Sequence, residues 1–283
     1  MEITKPFSKK RRVIQLVALI FLFLILGPIL VLFASGYSFQ DILSTTKLKL
    51  QKTGGIYVAE IGSNSTVYID NNDSQSSSFL DRTVLFQRLK IADHQIRINK
   101  PGYREWTKKI SVYPNRVTEI RPVLLQEKID FTKVMSTSTK SEMKLLMSEK
   151  IKVSTTTLVI QDKRNIEMHT QGNNLLVEWK TLSDAPYFLC FADQCVASTT
   201  VSMGSKITDV EWYPERNDAL IIMTTKEVSV VELDPRNERK VTVITTLDEF
   251  RKDAPVSAIR SGLLQYGGSV YIEVGGNFYK IGL

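Results

Sequence analysis

The chain has 283 residues, 43% of them hydrophobic and 24% charged, with 14 Gly and 9 Pro. That length suits about two domains, and the composition excludes a collagen, a coiled-coil rod and a wholly disordered chain. Two Cys and two His exclude a disulfide-dense scaffold and a Cys/His zinc array. The net charge of +7 looks like a nucleic-acid signature, but its placement argues otherwise. In the first dozen residues Lys5, Lys9, Lys10, Arg11 and Arg12 face only Glu2, so most of the excess sits beside one apolar segment. No nucleic-acid partner is expected.

Residues 1–12 read as a basic cytoplasmic tail and residues 13–35 as a transmembrane signal anchor. The segment VIQLVALIFLFLILGPILVLFAS carries no charge. As a helix it spans about 35 Å, enough for a hydrocarbon core of about 30 Å. Gly27-Pro28 falls inside it, which a membrane helix tolerates. Basic flanks stay in the cytoplasm, so the N-terminus is expected inside and the bulk of the chain outside. A cleaved signal peptide is the alternative: Ala34-Ser35-Gly36 offers small residues at a cleavage point, although the apolar run exceeds the usual signal length.

Residues 36–53 read as a polar tether with Gly36, Ser44, Thr45 and Thr46. From Ile56 the pattern alternates. Ile56–Val58, Val67–Ile69, Val84–Phe86, Ile96–Ile98, Ile110–Val112 and Val117–Ile120 read as short strands. Turn residues separate them: Gly54-Gly55, Gly62-Ser63-Asn64, Asn71-Asn72-Asp73, Pro101-Gly102 and Pro114-Asn115. Residues 54–125 are therefore expected to form a small antiparallel β-sandwich. The run 71–78, NNDSQSSS, reads as a solvated loop. Asn64 and Asn72 each start an N-x-S/T triplet, which loops rich in Asn and Ser generate freely.

Residues 126–150 lose the alternation and read as a linker with one short helix near 141–149, capped by Thr139 and Glu142. From 151 to 283 the strands return. Leu176–Trp179 and Asp209–Trp212 echo each other, with Trp179 and Trp212 in matching places. Ala219–Met223 reads as a fully buried strand. Residues 262–266, 269–274 and 277–281 repeat a strand–turn–strand rhythm, with Gly267-Gly268 and Gly275-Gly276 as hairpin turns. Repeats of about 40 residues suggest propeller blades. Three to four fit, leaving the array open or completed by another chain, so an oligomer is among the expectations. A plain β-sandwich produces the same rhythm.

Residues 54–125 resemble the PEGA domain, a small β-sandwich of bacterial and archaeal envelope proteins. The resemblance rests on Val67-Tyr68-Ile69-Asp70, on His94-Gln95-Ile96-Arg97-Ile98, on Lys100-Pro101-Gly102-Tyr103-Arg104-Glu105-Trp106 and on Ile110-Ser111-Val112. The Pro-Glu-Gly-Ala signature is absent, and Gly62-Ser63-Asn64-Ser65 stands in its place. Residues 151–283 resemble TolB-like or WD40-like propeller blades, through Trp212-Tyr213-Pro214 and Asp218–Ile222. Together these resemblances imply a membrane-anchored envelope protein with an all-β ectodomain.

No nucleophile elbow, phosphate loop, dinucleotide fingerprint or zinc-protease helix is present. No catalytic, metal or cofactor residue is expected, and the chain reads as a non-enzyme. His94 and His169 are far apart in sequence and read as core or solvated residues. The candidate ligand-binding residues are Tyr103, Trp106 and Tyr113, because exposed aromatics on a small sandwich stack on sugar rings. The competing reading of Trp106 is core, since it shares a strand face with Ile110 and Val112.

Cys190 and Cys195 are the chain's two cysteines. A hairpin turning at Ala192-Asp193 makes them a non-hydrogen-bonded cross-strand pair, with Cα atoms about 4.5 Å apart. That suits a disulfide, and the expected topology places it where oxidation is permitted. Two reduced, buried thiols are the alternative. The functional expectation is an extracytoplasmic binding or scaffolding protein with an envelope protein partner. The alternatives are binding of cell-wall or surface polysaccharide and, third, an envelope enzyme.

Overall fold

A computed structural model describes residues 9–34, 37–39, 50–71, 73–77, 82–153, 160–162, 166–181, 185–191, 194–251 and 261–283. Lys5, Ser44, Asn72 and the Ala192-Asp193 turn tip lie outside them. The first element is the helix α1, Lys9–Ala34. It is long and apolar enough to cross a membrane, and none of its apolar window is buried in protein.

The rest is mostly β. The strands of the first part are β1 (Tyr37–Phe39), β2 (Leu50–Val58), β3 (Thr66–Ile69), β4 (Asp73–Ser76), β5 (Val84–Lys90), β6 (Asp93–Asn99), β7 (Trp106–Ser111) and β8 (Val117–Ile120). They make two four-stranded sheets: β1-β2-β5 with β8 also on β2, and β4-β3-β6-β7. Five of the six strand runs expected from the alternation between residues 56 and 120 fall within these elements, and the sixth, Ile110–Val112, runs one residue past the end of β7. Two local readings need correction. The run read as a loop at 71–78 contains β4, an edge strand that pairs with β3 from Thr66↔Ser76 to Ile69↔Asp73. Gly54-Gly55 is mid-strand in β2 rather than a turn. A Cβ on Gly54 would clash with the Tyr113 carbonyl oxygen, and one on Gly55 would lie 2.8 Å from that of Phe86. Glycine is needed there because the neighbouring backbone occupies the space that a side chain would fill.

Next come β9 (Phe131–Lys133) and α2 (Thr137–Val153), in the stretch read as a linker. Ser136, rather than Thr139, caps α2: its Oγ accepts from the Thr139 backbone N–H. Met143 and Met147, one turn apart, are the buried face of α2. The Met147 methyl would stand 2.8 Å from a Cβ at Gly262, so the helix packs where that glycine leaves room.

The remaining strands are β10 (Ile160–Asp162), β11 (Ile166–Gln171), β12 (Asn174–Trp179), β13 (Cys190–Phe191), β14 (Gln194–Cys195), β15 (Ser198–Ser202), β16 (Ile207–Trp212), β17 (Ala219–Thr224), β18 (Glu227–Glu232), β19 (Val241–Thr246), β20 (Ser261–Tyr266), β21 (Ser269–Val274) and β22 (Asn277–Ile281). A short helix, α3 (Asp248–Arg251), follows β19. The sheets run β10-β11-β12-β15, β16-β17-β18-β19 and β20-β21-β22-β9, each antiparallel and four-stranded, plus the small β13-β14 hairpin. The third sheet takes its outer strand from before the first, through Tyr279↔Lys133 to Ile281↔Phe131. No closed barrel is formed among the described residues.

Every residue of β17 is buried, as its continuous apolar run predicts. Gly267-Gly268 and Gly275-Gly276 do form two-residue turns, all four at φ between 55° and 81°. Trp179 and Trp212 share one buried cluster. They are not equivalent, however: Trp179 ends the third strand of its sheet and Trp212 the first strand of the next. The echo in sequence is therefore not the repeat in structure.

By contact the chain divides into two compact units. The first holds Met1–Tyr57, Leu85–Asp93 and Ser111–Thr118, and the second holds Val58–Val84, His94–Ile110 and Glu119–Leu283. Cys190 and Cys195 are paired in register and joined by a disulfide, with Cα atoms 4.0 Å apart. The register is the one expected: Phe191 faces Gln194.

Gly54→Ala is expected to cost about 1–3 kcal/mol by overpacking against fixed backbone. Gly204→Ala, with nothing within 4 Å, is the control. Thermal unfolding of the detergent-solubilised full chain checks this; equal melting of both variants would show that β2 is not held as described.

Candidate functional site

Two marks of the PEGA resemblance meet at one point. Asp70 ends the β3 run in a left-handed conformation, at φ 50°. Its Oδ2 lies 2.6 Å from His94 Nδ1, and its Oδ1 accepts from the Gln95 backbone N–H at 2.9 Å. The carboxylate thereby ties the end of β3 to the start of β6. Burial alone would raise the Asp70 pKa, but the Gln95 N–H and His94 outweigh it and leave the carboxyl below its ordinary range. His94 is a buried structural residue, while His169 is half-exposed beside Glu167 and Glu178.

The Pro101-Gly102 pair forms a tight turn. The Tyr103 N–H donates to the Lys100 carbonyl at 3.0 Å, with Gly102 at φ 79°, the conformation a type II turn requires at that position. It leaves Tyr103 half-buried, with the Lys100 ammonium 4.3 Å from its ring. The three candidate aromatics then differ. Trp106 is 3% exposed and Tyr113 is 45% exposed. Trp106 is therefore not a surface stacking platform; the core reading describes it.

The Trp106 indole N–H donates to Glu232 Oε1 at 2.6 Å. The same oxygen accepts from the Val123 backbone N–H at 2.8 Å. Two residues along β7, Lys108 reaches Asp234: its Nζ is 3.2 Å from Oδ2 and 3.0 Å from the backbone carbonyl. Alternation in the strand sends Trp106, Lys108 and Ile110 to one buried face. Asp234 is also gripped by Arg236 through both carboxylate oxygens at 2.9 Å. Arg236 donates onward to the Glu119 carbonyl at 2.6 Å. Arg216 forks onto Asp218 at 2.8 Å and donates to the carbonyls of Pro122 and Arg121. Arg121 and Arg236 lie over the Tyr187 ring, at 5.2 and 5.4 Å.

Residues 104–109 and 119–123 are thus bound to the β16-β17-β18-β19 sheet and the chain that follows β18 by a buried polar seam. Burial lowers the Lys108 pKa, against the pull of Asp234 and Glu232. Burial raises Glu232, opposed by the Val123 N–H, Lys108 and the Trp106 N–H. At Asp234 burial is outweighed by Arg236 and Lys108, and the carboxyl stays below its ordinary range. These groups are committed to one another, so the arrangement joins distant stretches of the chain. Sequence reasoning found Trp106 but missed its partners, because Glu232 and Asp234 lie more than 120 positions away and their strand pattern carries no sign of a buried carboxylate.

A second buried cluster joins α2 to the sheets. Lys150 Nζ is 2.8 Å from Asp209 Oδ1 and 2.6 Å from Glu211 Oε1, and it donates to the Leu263 carbonyl at 2.9 Å. Asp209 Oδ2 accepts the Leu263 N–H at 2.7 Å, linking β16 to β20. Burial would lower the Lys150 pKa, but the two carboxylates raise it.

Against known proteins, residues 53–128 match the PEGA domain. No curated protein matches the chain. Among solved structures, the chain is similar to one described as a candidate carbohydrate-binding protein from Bacteroides uniformis. The identity is 6% and the TM-score 0.21, over 69% of this chain and 97% of the other. A likeness at that score carries no argument about this chain.

A double-mutant cycle tests the seam. Trp106→Phe removes the donor and Glu232→Leu the acceptor of this buried hydrogen bond, and each should cost about 1–3 kcal/mol or more. Their coupling energy should be at least about 0.5 kcal/mol; additive effects would place the two side chains apart. Acid provides a separate test. Asp234 has an ordinary pKa of 3.8 and a lower one when folded, so its stabilisation is complete above about pH 4. That stabilisation is lost as the pH falls through the folded value. Asp234→Asn should be less stable than wild type at pH 7, with a flatter acid limb in urea titrations. An unchanged acid limb would remove Asp234 from the account.

Proposed function

We propose that the protein is a single-pass membrane protein, cytoplasmic at its N-terminus, whose extracytoplasmic β-domains bind and scaffold an envelope protein partner. It acts as a binding protein without chemistry of its own. The PEGA-like part is a small sandwich, and the three four-stranded meanders are blades of a propeller-type array. The topology is supported by charge. Lys9, Lys10, Arg11 and Arg12 stand at the first end of α1, and its last turn has no basic residue.

The observation that carries the partner reading is the edge strand β19. It is the last strand of its sheet, and Val241 and Val243 are each 41% exposed along it. An edge with apolar side chains is a template for strand addition by another chain. Polysaccharide binding is the second reading, and it now rests on Tyr113 as the exposed aromatic of the three candidates.

Crosslinking and pull-down of the full chain from solubilised envelope tests the choice, with Val241→Lys/Val243→Lys as the edge-blocked variant. A protein that binds wild type and is lost with the edge-blocked variant supports the reading. Retention on isolated wall polysaccharide, abolished by Tyr113→Ala and unaffected by the edge variant, would replace it with the second. For topology, protease added to spheroplasts should digest the β-domains and spare the N-terminus. A mature chain starting near Tyr37 would instead show a cleaved signal.

A further inference from the structure

The first unit, containing α1, carries an unusual surface. Between residues 50 and 128, the large hydrophobics exposed to solvent are Leu85, Ile91, Tyr113 and Val117, and all four belong to this unit. Its exposed charges beyond α1, among the described residues, are Lys52, Arg88, Lys90 and Arg116 against Asp93. The segments that bear them are backbone neighbours. Gly55 of β2 lies against the Phe86 carbonyl on one side, and its Cβ position is 3.5 Å from a Val117 methyl.

Two further observations tie this surface to the end of the apolar helix. First, β1 begins at Tyr37, three positions after α1 ends, and pairs with Leu50–Lys52. Three residues reach about 10 Å at full extension, so the sheet starts within that distance of the helix end. Second, the Arg88 guanidinium stacks on Phe33, in the last turn of α1, at 4.1 Å from the ring centroid. Arg88 sits at φ 59°, a left-handed conformation uncommon for a residue with a side chain. The kink breaks the alternation of β5, so that Gln87 and Arg88 both face outward.

We propose that this surface docks on an anionic lipid bilayer, with the basic residues at phospholipid headgroups and Leu85, Ile91, Tyr113 and Val117 at the interface. The inference rests on the reading of α1 as a membrane span. If Phe33 lies at the boundary of the hydrocarbon core, Arg88 lies at headgroup depth. Cations beside an anionic leaflet are attracted to it, and tyrosine suits the interface because one end is apolar and the other wet. The net charge of the exposed set is positive, matching anionic phospholipid and not a neutral surface. Tyr113 then has a role independent of sugar stacking.

The experiment uses the full chain reconstituted in vesicles of phosphatidylcholine, with or without phosphatidylglycerol. A spin label is placed at Gln87→Cys, and at Glu238→Cys in the second unit as a control. Carbonate extraction reads anchoring, and collision with a water-soluble nickel chelate against oxygen reads immersion. The expected result is a chain that resists carbonate and whose residue-87 label becomes severalfold less accessible to nickel when phosphatidylglycerol is present. Residue 238 should not respond. High salt should reverse the effect, and Lys52→Gln/Arg88→Gln/Lys90→Gln should weaken docking by about fivefold per charge removed. The salt arm stands even if the triple variant misfolds. An anchored chain whose residue-87 label is equally accessible in both vesicles overturns the docking alone. Release by carbonate overturns the span and the docking with it.

Discussion

Glu232 is a carboxylate 5% exposed to water at the end of β18. Left alone there it would be too costly to keep charged. The chain meets that cost with donors drawn from far away in sequence: the Trp106 indole, the Val123 backbone N–H and the nearby Lys108 ammonium. Asp234, two residues on, is met by Lys108 and Arg236. Trp106, Val123 and Lys108 are themselves buried and Arg236 partly so, and removing one strands the others. Buried ion pairs contribute little net stability compared with apolar packing but penalise every wrong alignment. In this molecule the alignment at stake is that of β7 on the end of β18. An apolar contact between those strands would tolerate sliding by two residues; Trp106 on Glu232 and Lys108 on Asp234 do not.

The same logic explains what was legible in the sequence. Local chemistry read well. Alternation found every strand between residues 56 and 120 except β4, an unbroken apolar run found β17, and paired glycines found the two hairpins of the last sheet. The pairing of Cys190 with Cys195 followed from a two-residue turn and strand geometry, both within a few positions. Gly54-Gly55 misled because the same dipeptide serves two physical needs. At 267–268 it supplies left-handed backbone, and at 54–55 it supplies empty space beside the Tyr113 and Phe86 carbonyls. Which need applies depends on what packs against the glycine, and that is a tertiary fact.

Longer-range features were hidden for a similar reason. The Leu-Val-Glu-Trp and Asp-Val-Glu-Trp echo looked like a structural period, yet its two copies end different strands of their sheets. Both tryptophans are buried in one hydrophobic cluster, although they end different strands. The stretch at 126–150 lacked alternation because β9 is three residues long and α2 buries only a narrow face at Met143 and Met147. Of the candidate site, the sequence located the aromatics but not their exposure. Trp106 and Tyr113 look alike as residues near strands; the first faces a carboxylate in the core and the second faces solvent.

The β19 edge shows how such an internal joint bears on binding. Strand addition needs a row of backbone donors and acceptors together with side chains that welcome a neighbour. β19 has the side chains in Val241 and Val243, but its backbone is not uniform. Arg104 donates to the Val243 carbonyl at 2.9 Å, and the ladder to β18 slips at Ile244, where Val228 pairs with Thr245 and Ser229 with Val243. A bulge twists an edge and interrupts the template it offers. The segment that carries Trp106 therefore also occupies one acceptor of the open edge. A strand that adds along β19 must displace that arginine or place opposite it a residue with no N–H to satisfy, such as proline. Generic edge-to-edge aggregation meets the bulge and the guanidinium together, whereas a partner shaped to both keeps the contact with the two valines. If the proposed partner adds along this edge, its selectivity has the same origin as that of the seam: a charged side chain stands where an apolar contact alone would accept too many alignments.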